Sequence, residues 1–347
     1  MTETVRVCRL HAKGDLRVET APLAAPGPGE VTVAIGAGGI CGSDLHYLHD
    51  GGIGAIRVRE PIILGHEAAG RVAALGAGVA GLAVGDLVAV NPSHPCGDCR
   101  FCRAGRRNQC LSMRFLGSAM HLPHAQGLFR ERVTVGAAQC VPVPEDVSAA
   151  EAACAEPLAV CLHAAARAGD LSGRRVLVTG AGPIGVLCVA VAAGAGAAEI
   201  VATDLHPRPL EVARAMGATQ VVDVARAPDG LAPWQREKGR IDVAFECSAA
   251  PAAIAQAVDC LRPGGTLVQV GSAGAATVPL GALVAKEITH RGSFRFDAEF
   301  AQAVEAIGTR RIDVRPAITG AWPLAEAPAA FAAASDRSRS VKVQLTF

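Results

Sequence analysis

The chain has no excess of charge of either sign: 33 Lys and Arg stand against 32 Asp and Glu in 347 residues, a formal charge of +1. Such a balance gives no reason to expect nucleic acid or an anionic membrane as partner. No basic stretch followed by an apolar run opens the sequence at Met1-Thr2-Glu3-Thr4, so no secretory leader is expected. Its most apolar segment, residues 185–200, is dominated by Ala and Gly and runs into Glu199. That is too short and too weakly hydrophobic for a membrane span. Internal repeats and low-complexity tails are lacking, and Tyr47 is the only tyrosine.

Half the residues are hydrophobic, and the length exceeds what one core usually organises, so two domains are expected. Twelve cysteines in a long chain without a leader point to metal binding and reduced thiols rather than disulfides, and to a cytoplasmic setting.

Up to about Pro144 short valine-rich runs alternate with Gly and Pro, as at residues 30–35, 69–74 and 86–90. This is the texture of an irregular β-rich domain. From about Arg174 apolar strands alternate with Ala-rich helical stretches. Candidate strands are 175–179, 199–203, 220–222, 241–246, 266–270 and 288–292. That alternation predicts an α/β unit with a doubly wound parallel sheet. The last residues, Val341-Lys342-Val343-Gln344-Leu345, are strand-like again and are expected to rejoin the first domain. The expected division is 1–152, with a lobe at 91–115, then 153–291, and a return over 292–347.

Val176-Leu177-Val178-Thr179 runs into Gly180-Ala181-Gly182-Pro183-Ile184-Gly185, a G-x-G-x-x-G turn between a strand and a helix. Its glycines allow a tight turn, close approach of a pyrophosphate and close helix–strand packing, and the helix start presents free N–H groups. Asp204 follows Gly185 by nineteen residues at the end of the next strand. There a carboxylate accepts hydrogen bonds from ribose hydroxyls and repels a 2′-phosphate, so NAD is expected over NADP. Arg208 nearby keeps NADP possible.

Cys96, Cys99, Cys102 and Cys110 form C-x2-C-x2-C-x7-C, four thiolates within fifteen residues. They suit one closed tetrahedral zinc that holds a loop and does no chemistry. A bacterial-type iron–sulfur cluster would favour a shorter last spacing and a Pro after the last Cys, where this chain has Leu111. A second donor set is dispersed: Cys41 with Ser43 and His46, then His66-Glu67, then Glu156. Singly each has a bland reading as buried thiol, satisfied imidazole or solvated acid. Together they supply a second zinc with one position left for substrate.

The order Cys41, His66-Glu67, four-cysteine lobe, Glu156 and glycine turn resembles the zinc-containing medium-chain dehydrogenases over essentially the whole chain. Glu156 in place of a cysteine is similar to the polyol (sorbitol-type) branch. The runs Cys41–Tyr47, Asn91–Cys96, Met113–Met120 and Arg291–Phe296 resemble its idonate-type, sugar-acid members. This resemblance implies a GroES-like catalytic domain and a Rossmann domain. It implies two zinc ions, a homotetramer, and hydride transfer between a sugar-acid or polyol secondary alcohol and NAD(P). Sorbitol- and xylitol-type enzymes are the near alternatives and L-threonine 3-dehydrogenase a distant one. A non-catalytic zinc- and nucleotide-binding relative is disfavoured, because every expected ligand is retained. In the resemblance Cys41 and His66 are ligands. The third is Glu67 or Glu156, with the polyol branch favouring Glu67 and placing Glu156 behind a bound water. Ser43 and His46 relay the alcohol proton. Val270-Gly271 and Ser293-Phe294-Arg295 flank the nicotinamide, and Tyr47, Arg114, Phe115 and Arg295 face substrate. The remaining seven cysteines, Cys154 and Cys247 among them, read as small buried hydrophobes.

Overall fold

The computed structural model describes residues 3–272 and 275–347; Met1 and Thr2, the start of the segment read above for a leader, lie outside it. A seven-stranded sheet organises the first domain. Its central strand, Glu30–Gly39, pairs antiparallel with Glu67–Leu75, with Arg132–Gly136 and with the C-terminal strand Lys342–Thr346. Leu87–Val90 and Cys140–Pro142 extend it on one side, and Ile318–Pro323 closes the other. The end of the chain therefore lies inside the first domain's sheet, as the strand-like texture of 341–345 predicts.

The second domain is a six-stranded, wholly parallel sheet. Taken in chain order its strands are Arg175–Thr179, Glu199–Asp204, Gln220–Asp223, Ile241–Glu246, Leu261–Gln269 and Thr289–Gly292, arranged 3-2-1-4-5-6. This is the doubly wound order with its switch point between the first and fourth strands, where a dinucleotide crosses. All six sequence-read strands are present. The fifth begins earlier than residues 266–270 suggested, because Leu261 already pairs with Ile241 ahead of a register shift.

The apolar segment after the glycine turn is the helix Pro183–Gly194, in which every residue from Gly185 to Ala192 is buried. A helix apolar all round is a core helix. It packs against the sheet and against the helix Ala155–Ala168. No helix of the described residues is long and apolar enough to cross a membrane.

Ala155–Ala168 joins the two domains and carries two polar residues seven apart, Glu156 and His163, so both lie on one face. His163 Nδ1 lies 2.9 Å from Glu299 Oε1, in the first turn of the helix Glu299–Gly308. Burial pushes the Glu299 carboxyl up, but His163 and the Asp297 N–H outweigh that and bring it to about 2, against an ordinary 4.5. The folded carboxyl titrates below the unfolded one, so the pair's stabilisation is complete above about pH 4.5 and is lost as pH falls toward 2. Glu299→Gln should flatten the acid limb of the stability profile in that window. At neutral pH it should cost about 1–2 kcal/mol, the partial exposure of the pair having screened part of the full shift. Urea midpoints at pH 7 and pH 4 that respond equally in both proteins would refute this.

Candidate active site and cofactor cradle

Cys41 is the N-cap of the helix Gly42–Asp50, and Asp44, three residues on, is fully buried beneath it. The Cys41 N–H donates to Asp44 Oδ2 at 3.0 Å, and the Gly65 N–H to Oδ1 at 3.2 Å. Asp44 Oδ1 also stands 3.8 Å from His66 Nδ1. One buried acid thus ties together the two segments that carry Cys41 and His66. The donor atoms of Cys41, His66 and Glu67 lie within 4.8 Å of one another. Glu156 is buried beside them but is not part of that three-donor group.

Glu67 opens the strand Glu67–Leu75, and both its oxygens accept from Lys342 Nζ, at 2.8 and 2.7 Å. Lys342 is 2 % exposed and also donates to the Ile40 carbonyl at 3.2 Å. Burial would lower its pKa, but Glu67 and Cys41 beside it hold it above the ordinary value. The pair spans the central strand at Gly39, where a Cβ would stand 2.0 Å from Glu67 Oε2. Only glycine leaves room there. Burial, then Glu67, pushes the Cys41 thiol up to about 11, and burial pushes Glu156 up to about 8. A thiolate and two carboxylates crowded out of water are costly, and a divalent cation removes that cost, so the donor set fits zinc.

Around this cluster the structure gathers several of the expected substrate residues. The Phe115 ring lies 5.6 Å from the His66 ring, and the Arg295 guanidinium sits over Phe115 at 4.1 Å and by Phe294 at 5.0 Å. Burial lowers the Arg295 pKa, with Glu156 and then Tyr47 opposing. The buried Tyr47 hydroxyl accepts from the Ala119 N–H at 3.1 Å. Ser43 lies beside the Cys41 thiol, and His46, one turn on, is exposed with Nδ1 2.8 Å from Asp50 Oδ2. Arg114 precedes Phe115 in a two-residue strand paired with Ser93–His94. Successive strand side chains alternate, so Arg114 points to the face opposite Phe115.

The lobe brings Cys96, Cys99, Cys102 and Cys110 together, all four sulfurs within 4.8 Å. The Cys96 and Ser112 N–H groups donate to Cys110 Sγ at 3.2 and 3.4 Å, and backbone donors of Leu111 and Cys102 pull the Cys99 thiol down to about 6. Four converging sulfurs approached by backbone N–H groups, with no oxygen donors in the group, suit a closed zinc site.

The glycine turn is equally specific. A Cβ at Gly185 would stand 1.8 Å from the Gly180 carbonyl, whereas one at Gly182 would meet nothing within 4 Å. The turn is thus tight where helix and strand pack and open where phosphates would lie. Gly182 caps the helix Pro183–Gly194 without a side-chain acceptor. Asp204 Oδ2 accepts the Ala181 N–H at 2.8 Å, and Oδ1 accepts those of Leu205 and His206 at 2.7 and 3.0 Å. The carboxylate therefore braces the turn and keeps lone pairs for a ribose. Arg208 is engaged with Glu211 at 3.0 Å. Ser293 Oγ is buried with no partner, and the Val270 and Gly271 N–H groups donate to the Glu246 carbonyl. An orphaned hydroxyl and an open cradle fit a dinucleotide.

Three residues of the site escape the motif reading. Asp44, Lys342 and Glu246 are all buried, and Glu246 accepts from Ser248, Ala249 and Gln269 beside the glycine turn. The spacing of Cys41 and Asp44 matches a capping box and signals Asp44; lysine and glutamine within an apolar terminal strand signal Lys342.

Fold and donor sets together define a zinc-dependent, NAD(P)-linked dehydrogenase of the medium-chain type. Residues 27–145 match the alcohol dehydrogenase GroES-like domain and residues 183–309 the zinc-binding dehydrogenase domain, and the chain belongs to that family. It is 43 % identical over 316 residues to L-idonate 5-dehydrogenase (NAD(P)(+)) of Escherichia coli K12, covering 91 % of each chain. It is 38 % identical over 328 residues to sorbitol dehydrogenase of Macaca fascicularis, covering 93 % of this chain and 90 % of that one. The crystal structure of E. coli L-idonate 5-dehydrogenase superimposes with a TM-score of 0.94 at 40 % identity, over 100 % of this chain and 99 % of that one.

The buried pair gives a stability test. Lys342→Met leaves Glu67 buried and uncompensated, which should cost about 3–5 kcal/mol in chelator-treated protein. Glu67→Gln combined with Lys342→Met should recover more than half of that. Equal urea midpoints for the single and double variants would show that the pair is not what Lys342 contributes.

Proposed function

We propose that this enzyme oxidises L-idonate at C5 to 5-keto-D-gluconate with NAD, and that the observation carrying this is the half-buried Arg295 guanidinium stacked over Phe115 beside the Cys41–His66–Glu67 cluster. A sugar acid differs from a polyol by a terminal carboxylate, and a planar, fixed cation suits that group. Arg295 is favoured over Arg114, whose side chain lies on the strand face opposite Phe115. The 43 % identity to an L-idonate enzyme supports the same substrate; the sorbitol dehydrogenases at 38 % keep a polyol as the second reading.

In this reading Cys41, His66 and Glu67 would hold the catalytic zinc, with Glu156 buried beside them, and the four-cysteine lobe would hold a second. Bound zinc supplies a Lewis acid that brings the pKa of the substrate hydroxyl toward neutrality. Ser43 Oγ takes the hydroxyl proton as it passes its own on, and His46, exposed one helical turn away with Nδ1 on Asp50, hands it to solvent. Phe115 and Tyr47 wall the cleft against water, and Arg295 orients the carboxylate end. The Val270-Gly271 and Ser293-Phe294 segments would position a bound nicotinamide, whose chemistry is hydride acceptance. The domain division at 152/153 and 291/292 belongs to this proposal. So does a homotetramer, supported by the exposed edge strand Thr289–Gly292 and the outward Leu280 and Val284. Twelve free cysteines support a cytoplasmic location.

NADH formation from L-idonate, sorbitol, xylitol and L-threonine, measured side by side, tests the assignment; a preference for sorbitol overturns it. Arg295→Ala should lower kcat/KM for L-idonate about 10- to 100-fold, the loss expected for one charge-assisted pair, and that for sorbitol far less. Equal losses on both substrates would remove Arg295 as the carboxylate partner.

Cofactor choice gives a separate test. Asp204→Ala loosens the glycine turn as well as the ribose contact, so absolute activity falls with either cofactor. The ratio of kcat/KM for NAD to that for NADP should nevertheless fall about tenfold or more, since one acceptor and one repelling charge are lost. An unchanged ratio would mean that Asp204 only braces the turn.

A further inference from the structure

The four-cysteine lobe does no chemistry, yet it grips the segment that presents Arg295. Immediately before Cys110 lies the short turn Arg107–Gln109. Arg107 donates its backbone N–H to Asp297 Oδ2 at 2.9 Å and its Nε to Oδ1 at 2.7 Å, a two-point grip on one carboxylate. Asn108 Nδ2 donates to the Phe294 carbonyl at 3.0 Å. These contacts bracket Arg295 in sequence, one on the residue before it and one two residues after.

Between the brackets Arg295 holds φ +53°, in the left-handed region that an L-residue keeps only when its surroundings impose it. On the far side the same loop is tied, through Glu299, to the helix Ala155–Ala168. The Asp297 N–H donates to Glu299 Oε2 at 2.8 Å, and Glu299 is held by His163, two turns along from Glu156. Asp297 is thus gripped from the lobe by its side chain and from the helix by its backbone. A single planar guanidinium placed over a ring tolerates little displacement, so the grip decides where its charge lies.

We propose that Arg107 and Asn108 are positioning residues that clamp the 294–297 loop, so that the metal-bearing lobe sets carboxylate selectivity in the substrate cleft through Arg295. This rests on the reading of Arg295 as the carboxylate partner. The lobe then has two outputs, its own fold and the placement of a side chain in the other half of the cleft.

The test uses the zinc-loaded enzyme, with zinc content measured for every variant. Arg107→Ala and Asn108→Ala should each raise KM for L-idonate about five- to tenfold, as expected for loss of one or two hydrogen bonds, with kcat and the KM for xylitol within about twofold. Arg107→Lys, which keeps the charge, should restore part of the difference. If KM for L-idonate is unmoved, or xylitol suffers equally with zinc retained, the clamp is overturned. Should Arg107→Ala lose zinc or fail to fold, Asn108→Ala, which removes one surface hydrogen bond, carries the same comparison. Arg295→Ala separates the two claims: if it alone leaves L-idonate binding unchanged, the carboxylate reading falls and the clamp is judged on hydrogen exchange. Exchange of the 294–297 amides, without substrate, should quicken in Arg107→Ala, and unchanged exchange overturns the clamp.

Discussion

A lysine ammonium buried against a glutamate carboxylate, Lys342 on Glu67, is the contact on which the catalytic half of the molecule depends. Glu67 begins one strand and Lys342 another, 275 residues apart, on either side of the central strand. Gly39 keeps the space between them clear. Neither charge survives burial alone, so the last strand must dock before the donor cluster is complete. The returning strand delivers the ammonium that faces both oxygens of Glu67 next to a thiol and another carboxyl.

The second domain solves a different problem, the holding of an anionic ligand with almost no charged side chains. Its means are backbone N–H groups at the start of Pro183–Gly194, a tight turn at Gly185 and two acids, Asp204 and Glu246, that accept backbone hydrogen bonds around the turn. The acids stiffen the cradle from behind. Asp204 can serve ribose as well because a carboxylate has more lone pairs than its three backbone donors occupy. A rigid cradle loses little entropy when the dinucleotide binds, so more of the contact energy appears as affinity.

How much of this is legible in the sequence follows from the range of each interaction. The four cysteines fall within fifteen residues, and the strand–turn–helix at 176–185 is local, so spacing alone reveals both. The parallel sheet is legible because its buried strands read as uninterrupted apolar runs. The capping-type spacing of Cys41 and Asp44 is also local, but its meaning depends on Gly65 and His66 arriving from the loop ahead of the strand Glu67–Leu75. A lysine in an apolar strand marks Lys342, but its pairing with Glu67, like that of Arg107 with Asp297, has no local signature, since the partners lie far apart in the chain. Arg114 and Phe115 show the opposite limit. They are adjacent in sequence and equally plausible at the cleft, and only the pleat, fixed by pairing with Ser93–His94, turns one toward His66 and the other away.

Arg295 also shows why an aromatic ring, not an acid, supports a guanidinium in this cleft. Glu156 is near enough to oppose the fall in the Arg295 pKa, yet among the described residues the two make no ion pair within 4 Å. A direct pair would consume the charge and occupy the N–H edge of the fork. Resting on Phe115 instead, the guanidinium gains stacking and cation–π attraction on one face and keeps its N–H edge for a ligand. Phe115 in turn packs on His66, so the ring fixes the distance between the cation and the donor cluster. With Arg295 in the carboxylate role proposed above, that distance would be a ruler along the substrate: one end would rest on the guanidinium, and the spacer would set which carbon reaches the donor cluster. Selectivity among the hydroxyls of a sugar acid would then follow from geometry, without a dedicated contact for each.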